Sequence, residues 1–268
     1  MKKKKLLILA ALCALAFTGC KKKEPIDLTS LHTTAAVEKE TIAETEEETE
    51  APETEADSAE KGSAFSLKTE IKKETVGSVT VEYPVVSSMK DAKKQETVNA
   101  LLKSNALAIA DVHPDEAFVI KAAVESANLK RLTVTYRGEM KNPSGKTERL
   151  FYANTVDLET VENLGLQDLA DAYTVAGYIA SGDYKLTDVS GSESSIRSEL
   201  NGSGRTTDYY YKLLQKADFS GGYDENATPA AHWPEVFSYE KQGVVYISLP
   251  VSSELGSYVL IHYSPDNK

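Results

Sequence analysis

The chain has 268 residues, of which 30 are Lys or Arg and 41 are Asp or Glu, and its formal net charge is −11 at pH 7. This acidic balance argues against binding to nucleic acid, because phosphate contacts require lysine and arginine side chains that release counterions. Two cysteines and four histidines are too few for a disulfide framework, a thiolate zinc site or a histidine-rich centre, and we expect neither a metal nor a cofactor.

Residues 1–19 have the pattern of a signal peptide. Four lysines follow Met1, and an apolar run occupies residues 6–17. As a helix this run would span roughly 18 Å, which is shorter than the ~30 Å hydrocarbon core of a bilayer. A basic start followed by a short apolar run is typical of a secretory leader.

The segment Phe17-Thr18-Gly19-Cys20 resembles the lipobox of bacterial lipoprotein precursors. The resemblance implies cleavage before Cys20 and attachment of lipid to the Cys20 thiol. Acyl chains there would hold the mature protein at the outer, extracytoplasmic face of the bacterial cell membrane. The alternative is a plain secretory peptide with an incidental cysteine.

Residues 20–64 are predicted to be a disordered acidic linker. Eleven acidic residues and one lysine lie between Glu38 and Glu60, and so few apolar residues accompany them that burial cannot offset the entropy of ordering. The like charges also repel and extend the segment, so we expect a spacer between the lipid anchor and a folded domain. The alternative is a cation site, although the spacing of a calcium-binding loop is not found.

Residues 65–268 are predicted to form one α+β domain, an antiparallel sheet with helices packed on it. Segments rich in Val, Thr and Tyr between turn residues predict strands, and apolar residues at helical spacing predict helices. The predicted strands are residues 66–76, 79–86, 117–126, 129–140, 147–158, 236–239, 244–250 and 257–263, and the predicted helices are residues 89–110, part of 164–180, 193–200 and 208–217. Ser87 and Ser88 are the expected cap of the first helix, whose apolar face is interrupted by Asn105.

Three segments resemble the extracytoplasmic domain of RsiV-type anti-sigma factors, which is also appended to some secreted peptidoglycan deacetylases of Gram-positive bacteria. They are residues 79–102, 154–169 and 237–263, in the same order and with similar spacing. The resemblance covers roughly residues 66–265, and its motifs are structural rather than catalytic. It therefore implies an α+β domain of unknown function that lies outside the cytoplasm.

The sequence contains no G-x-S-x-G, H-E-x-x-H or P-loop pattern, and we assign no catalytic residue. Asp157, Asp168 and Asp171 have the spacing of carboxylates that could act as acid and base. The family resemblance favours capping of backbone N–H groups instead, because Asp157 and Asp168 match turn and helix-start positions of that family.

One aromatic-rich region with flexible neighbours is the candidate ligand-binding site. Aromatic faces stack on sugars and anchor protein partners. The candidate residues are Tyr209, Tyr210, Tyr223, His232 and Trp233. The alternative is that two of the three tyrosines at 209–211 pack a helix onto the sheet.

Two classes of function remain open at this point. The first is a lipid-anchored, non-enzymatic binding or sensing module that faces the cell wall and binds a wall glycan or a wall-active protein such as lysozyme. The second is a hydrolase of peptidoglycan or polysaccharide, or an accessory subunit of one. The absence of a recognisable nucleophile and base in the sequence favours the binding module.

Overall fold

The computed structural model describes residues 67–226 and 228–264. The predicted signal peptide, Cys20 and the acidic linker lie outside them. The strands are β1 (Lys68–Val76), β2 (Val79–Ser87), β3 (Phe118–Ala127), β4 (Arg131–Lys141), β5 (Thr147–Asp157), β6 (Glu162–Leu164), β7 (Lys185–Thr187), β8 (Ser238–Lys241), β9 (Val244–Pro250) and β10 (Tyr258–Tyr263). The helices are α1 (Ala92–Val112), α2 (Leu166–Leu169), α3 (Ala172–Ser181), α4 (Glu193–Leu200) and α5 (Thr207–Leu214), with short 3₁₀ turns at Pro229–His232 and Ser253–Leu255. The predicted α+β class is confirmed.

Six strands form one sheet in the order β1-β2-β3-β4-β5-β6. β1 and β2 form a hairpin through Gly77 and Ser78, and Gly77 has a φ of +59°, which glycine adopts without strain. β2 and β3 are parallel, because α1 carries the chain back to the starting end of the sheet between them. β3, β4 and β5 continue as an antiparallel meander, and they correspond to the predicted strands at residues 117–126, 129–140 and 147–158.

Four strands form a second, antiparallel sheet in the order β7-β10-β9-β8. Successive residues of β10 face opposite sides of this sheet. Tyr258 and Leu260 join the core that the six-stranded sheet shares with α1. Val259 and Ile261 join a second core with α2, α3, α4 and α5. The second sheet therefore contributes to both cores of the domain.

Two predicted details differ in the structure. The prediction that Ser87 and Ser88 cap the first helix is wrong, because α1 begins after Asp91, whose carboxylate accepts a hydrogen bond from the Lys94 N–H at 3.0 Å. The three-residue strands β6 and β7 were not predicted, because segments this short carry too little alternation to be recognised. No helix within the described residues is long and apolar enough to cross a membrane.

A polar cluster joins the two sheets. Asp188, which follows β7, accepts hydrogen bonds from Arg149 of β5 and from the Tyr258 hydroxyl of β10, the latter at 2.7 Å. The Arg149 guanidinium also lies 4.4 Å from the centroid of the Tyr258 ring. Each charge in this half-buried cluster thus has a partner, as buried charges require.

Candidate functional site

Helix α5 forms one wall of the candidate site. Its N-cap is Thr206, whose hydroxyl accepts a hydrogen bond from the Tyr209 N–H at 3.2 Å. Tyr210 and Leu214, four residues apart, face the second core and are buried, as expected for an amphipathic helix. Tyr209 points away from that core and is 37% exposed.

Tyr210 therefore does not belong to the candidate site. It is 1% exposed, and its hydroxyl donates to the Leu200 carbonyl of α4. A buried ring whose hydroxyl is already bonded has no surface to offer a ligand. This corrects the prediction that Tyr210 contacts the ligand, and it agrees with the alternative interpretation that tyrosines here pack the helix.

Next to α5 lies an open groove of about 840 Å³, which we call the aromatic groove. Tyr209, Lys212 and Lys216 line it from the α5 side. His232, the last residue of the 3₁₀ turn Pro229–His232, and the adjacent Trp233 also line it. Three of the predicted ligand-binding residues, Tyr209, His232 and Trp233, thus share one groove. Its volume lies in the range of small-molecule sites, which is about 300–1,000 Å³.

Trp233 is held in place by other aromatic rings. Its ring meets Phe219 at 5.6 Å and Phe237 at 5.4 Å, both nearly edge to face, and contacts Tyr152 at 5.2 Å between centroids. Such pairs restrict the ring to one orientation. The half-buried indole is therefore a preformed part of the groove wall.

Tyr209 is the more accessible aromatic ring of the groove. The Arg205 guanidinium lies 4.5 Å from its ring centroid and also bonds its hydroxyl. Around it the groove carries both lysines and carboxylates, since Asp208 and Glu235 line it together with Lys212. Stacking rings surrounded by donors and acceptors can bind a polyhydroxylated ligand.

A second pocket of about 360 Å³ adjoins the aromatic groove. Both cavities are lined by Asp218, Ser220 and His232. Tyr223, the remaining predicted ligand-binding residue, lines only the second pocket and is 42% exposed. The predicted ligand-binding residues other than Tyr210 are therefore divided between two neighbouring cavities.

An amide cluster forms the inner wall of the second pocket. The Asn163 side-chain oxygen accepts hydrogen bonds from the side-chain amides of Asn105 at 2.9 Å and Asn154 at 2.7 Å. Asn105 and Asn163 also line the pocket. Asn105 thus interrupts the apolar face of α1 because it reaches across to this cluster.

Asp218 is the residue at this site that sequence reasoning missed. Its buried carboxylate accepts hydrogen bonds from the Ser238 N–H and hydroxyl at 2.5 and 2.6 Å and from the Leu166 N–H at 2.8 Å. Burial raises the pKa of Asp218 to about 7, although these three bonds oppose the shift. Nothing local in the sequence signals this, because both partners are distant along the chain.

Asp157, Asp168 and Asp171 cap backbone N–H groups, as the sequence favoured. Asp157 accepts from the N–H groups of Glu159 and Thr160, Asp168 from Gly165, and Asp171 from Thr174 at 2.7 Å. Their carboxylates serve turns and helix starts. Within the described part of the chain, no group of three acidic, histidine or cysteine side chains is placed to hold a metal ion.

Comparisons with known proteins give distant structural similarity. No protein-family model matches the chain, and no curated protein matches it either. The chain is similar to the crystal structure of a DUF3298 family member from Bacteroides fragilis NCTC 9343, with 9% identity, a TM-score of 0.40, and coverage of 75% of this chain and 90% of that one. It is also similar to a DUF3298 family protein from Pseudomonas aeruginosa PAO1, with 13% identity, a TM-score of 0.32, and coverage of 68% and 82%. Similarity this distant assigns neither a function nor a residue role.

Proposed function

We propose that this chain is a non-enzymatic, lipid-anchored binding module that faces the cell wall and takes a short wall glycan into the aromatic groove. The observation that carries the proposal is the pairing of Tyr209 and Trp233, from two separate elements, in one groove of about 840 Å³. A groove of this volume suits a ligand of oligosaccharide size better than the broad surface of a protein partner.

The polar groups of the groove fit the same ligand class. Lys212 and Lys216 provide ammonium groups for the carboxylates that bacterial wall fragments carry, and Asp208 and Glu235 accept hydrogen bonds from sugar hydroxyls. The aromatic rings supply stacking area. A wall-active protein such as lysozyme is the competing ligand.

The binding test uses the full chain and soluble peptidoglycan fragments in isothermal titration calorimetry. Tyr209→Ala removes the accessible ring and should weaken binding about 30-fold, the effect of losing a hot spot of about 2 kcal/mol. Trp233→Phe keeps the core contact but shortens the stacking face, so a smaller loss is expected. Circular dichroism checks that each variant is folded.

The matched control is Tyr173→Ala. Tyr173 is 55% exposed on α3 and does not line the groove, so its loss should leave the affinity unchanged. Equal affinity for all three variants, or no binding of fragments at all, would overturn the proposal. Binding of lysozyme that Tyr209→Ala weakens, without binding of fragments, would assign the groove to a protein ligand instead.

The alternative function, hydrolysis of peptidoglycan or polysaccharide, is tested on the same samples. Incubation of the full chain with peptidoglycan, followed by zymography and fragment analysis, should show no new products. A clearing zone that Asp168→Ala or Asp218→Asn abolishes would replace the binding module with an enzyme. We favour binding because Asp218, the groove carboxyl with the raised pKa, has both oxygens occupied by protein donors.

The lipid anchor is tested separately. Mass spectrometry of the chain from bacterial membranes should show a mature N-terminus at Cys20 that carries acyl chains, and Cys20→Ala should abolish labelling by palmitate. Of the seven lysines around the apolar run, only those at positions 21–23 remain after cleavage. They would add attraction to anionic headgroups. Absence of lipid from the wild-type chain would rule out the lipid anchor. It would not affect the proposal that the aromatic groove binds a glycan.

A further inference from the structure

Strand β1 is an open edge of the six-stranded sheet. It is nine residues long and pairs with β2 on one side, and no described strand pairs with its other side. Most of its side chains are exposed, including Ile71 at 39%. An edge this long is a template for adding another strand.

The hairpin determines which backbone groups of β1 are free. The two-residue turn at Gly77 and Ser78 makes Val76 and Val79 a hydrogen-bonded pair. Such pairs alternate along an antiparallel ladder, and the register runs without a shift to Lys68 opposite Ser87. The even-numbered residues of β1 therefore bond β2, and the odd-numbered residues present their N–H and C=O groups to the open edge.

We propose that β1 pairs antiparallel with β1 of a second copy of this chain, with Ile71 of each copy on the two-fold axis. In this register Ile71 faces Ile71, and Thr69 faces Lys73, so all the hydrogen-bonded pairs join odd-numbered residues. The alternate pairs place Glu70 opposite Lys72 and Lys68 opposite Glu74. Symmetry repeats each pair, so four opposite-charge pairs flank the axis.

Neighbouring registers are penalised by charge. A shift of two residues in one direction places Glu70 opposite Glu74 and Lys72 opposite itself. The same shift in the other direction places Lys68 opposite Lys72 and Glu70 opposite itself. Like charges directly opposite each other destabilise a strand pair, so the sequence of β1 favours the register centred on Ile71 over both neighbouring registers.

Ion pairs inside the domain leave the two residues nearest the axis, Glu70 and Lys72, accessible. Within the described residues, Lys73 pairs with Glu82 and Glu74 with Lys103, whereas no ion pair engages Glu70 or Lys72. Edge lysines ordinarily discourage strand addition. Here Lys68 and Lys72 lie opposite carboxylates in one register, so these two lysines favour pairing with a second copy.

The helices do not obstruct this pairing. The α1 residue Asn99 bonds both backbone groups of Val86, which places α1 over β2. In the paired sheet the two β2 strands would be three strand spacings, or about 14 Å, apart. Packed helices need only about 8–10 Å between axes, so both copies of α1 fit on the same face.

The first test is cysteine cross-linking of the full chain in mild detergent, in a background with Cys13→Ser and Cys20→Ser. Ile71→Cys brings two thiols together across the axis, where paired Cα atoms lie about 5.5 Å apart, within reach of a disulfide. The matched control is Thr75→Cys, which is also exposed on the open edge but would lie about 26 Å from its copy. Oxidation should give a covalent dimer of the first variant only.

The second test is charge exchange, measured by sedimentation equilibrium of the full chain in the same detergent. Glu70→Lys places lysine opposite Lys72 twice and should weaken the dimer about tenfold. Combining Glu70→Lys with Lys72→Glu restores opposite charges in this register and should restore the wild-type dissociation constant.

A wild-type chain that sediments as a monomer, a double variant that fails to recover, or equal cross-linking at positions 71 and 75 would each overturn the proposal. The background without Cys20 carries no lipid and the assay contains no glycan. Failure here would therefore leave the proposed binding function as it stands.

Discussion

The rings of Tyr136 and Tyr152 stack across the β4–β5 pair, with centroids 4.4 Å apart and planes 9° from parallel. Both residues are fully buried, yet their hydroxyl groups differ. The Tyr152 hydroxyl donates to the Ala106 carbonyl of α1 at 2.7 Å. The Tyr136 hydroxyl has no hydrogen-bond partner within the described residues. The buried tyrosine hydroxyl is therefore hydrogen-bonded on β5 and lacks a partner among the described residues on β4.

This difference predicts opposite effects of the same substitution. Tyr152→Phe removes a buried hydrogen bond and should lower the free energy of unfolding by about 1 kcal/mol, whereas Tyr136→Phe removes an unpartnered polar group and should raise it by about 1 kcal/mol. Urea denaturation of the full chain measures both, and each variant serves as the other's control. Equal losses of stability would contradict the assignment.

Asp218 predicts a pH dependence of stability. Its pKa of about 7 in the folded chain lies above its ordinary value of 3.8, so the folded chain binds more protons than the unfolded chain between these values. The stabilisation that accompanies its protonated form is fully present below about pH 4 and is lost as the pH rises through 7. The stability of the wild type relative to Asp218→Asn, which cannot titrate, should therefore fall over this interval in urea denaturation series.

Asp171 provides the control of opposite sign. Side-chain and backbone hydrogen bonds from Thr174 lower the pKa of Asp171, so its stabilisation is present above its ordinary pKa and is lost as the pH falls. The stability of the wild type relative to Asp171→Asn should then rise with pH in the acid range. A wild type whose stability relative to Asp218→Asn does not change from pH 4 to 7 would contradict the burial of an ionisable Asp218.

Features set by local sequence were predictable. The turn between β4 and β5 has the sequence Asn-Pro-Ser-Gly, whose residue types all favour turns. Asn142 there accepts backbone hydrogen bonds from Ser144 and Lys146 at 3.0 Å. Helix α4 was predicted with the bounds that the structure shows, Glu193–Leu200. In both segments the residues that determine the structure are neighbours in sequence.

Features set by distant partners were not predictable. Successive residues of an α-helix differ by about 100° in direction, so the tyrosine run at 209–211 alone cannot show that Tyr210 faces the core and Tyr209 the groove. The parallel pairing of β2 and β3 and the burial of Asp218 against Ser238 depend on contacts between remote segments. A single sequence gives the residue types at the site but not which of them meet.

We expect a hydrophobic substitution of Asn105 to destabilise the fold, although this residue lies on the buried face of α1. Asn105→Leu completes the apolar face of α1, but it leaves the side-chain oxygen of Asn163 with one donor fewer and removes one of the two amides that line the second pocket. The free energy of unfolding should fall by about 1–3 kcal/mol. Glu96→Leu on the exposed side of α1 is the control and should change it by less than about 0.5 kcal/mol. A more stable Asn105→Leu variant would show that the amide cluster is dispensable.

Substitution by alanine should have opposite effects on the stability of the fold at two glycines. A Cβ at Gly138 of β4 would lie 2.5 Å from the Val119 carbonyl oxygen and 2.6 Å from Ile120 Cδ1, so Gly138→Ala must separate β4 from β3 and should cost about 1–3 kcal/mol. A Cβ at Gly177 of α3 would meet nothing within 4 Å, and Gly177→Ala should stabilise the helix by about 0.5–1 kcal/mol. Thermal unfolding of the two variants measures the difference. Similar melting temperatures for both would contradict the close approach of β3 and β4 at Gly138.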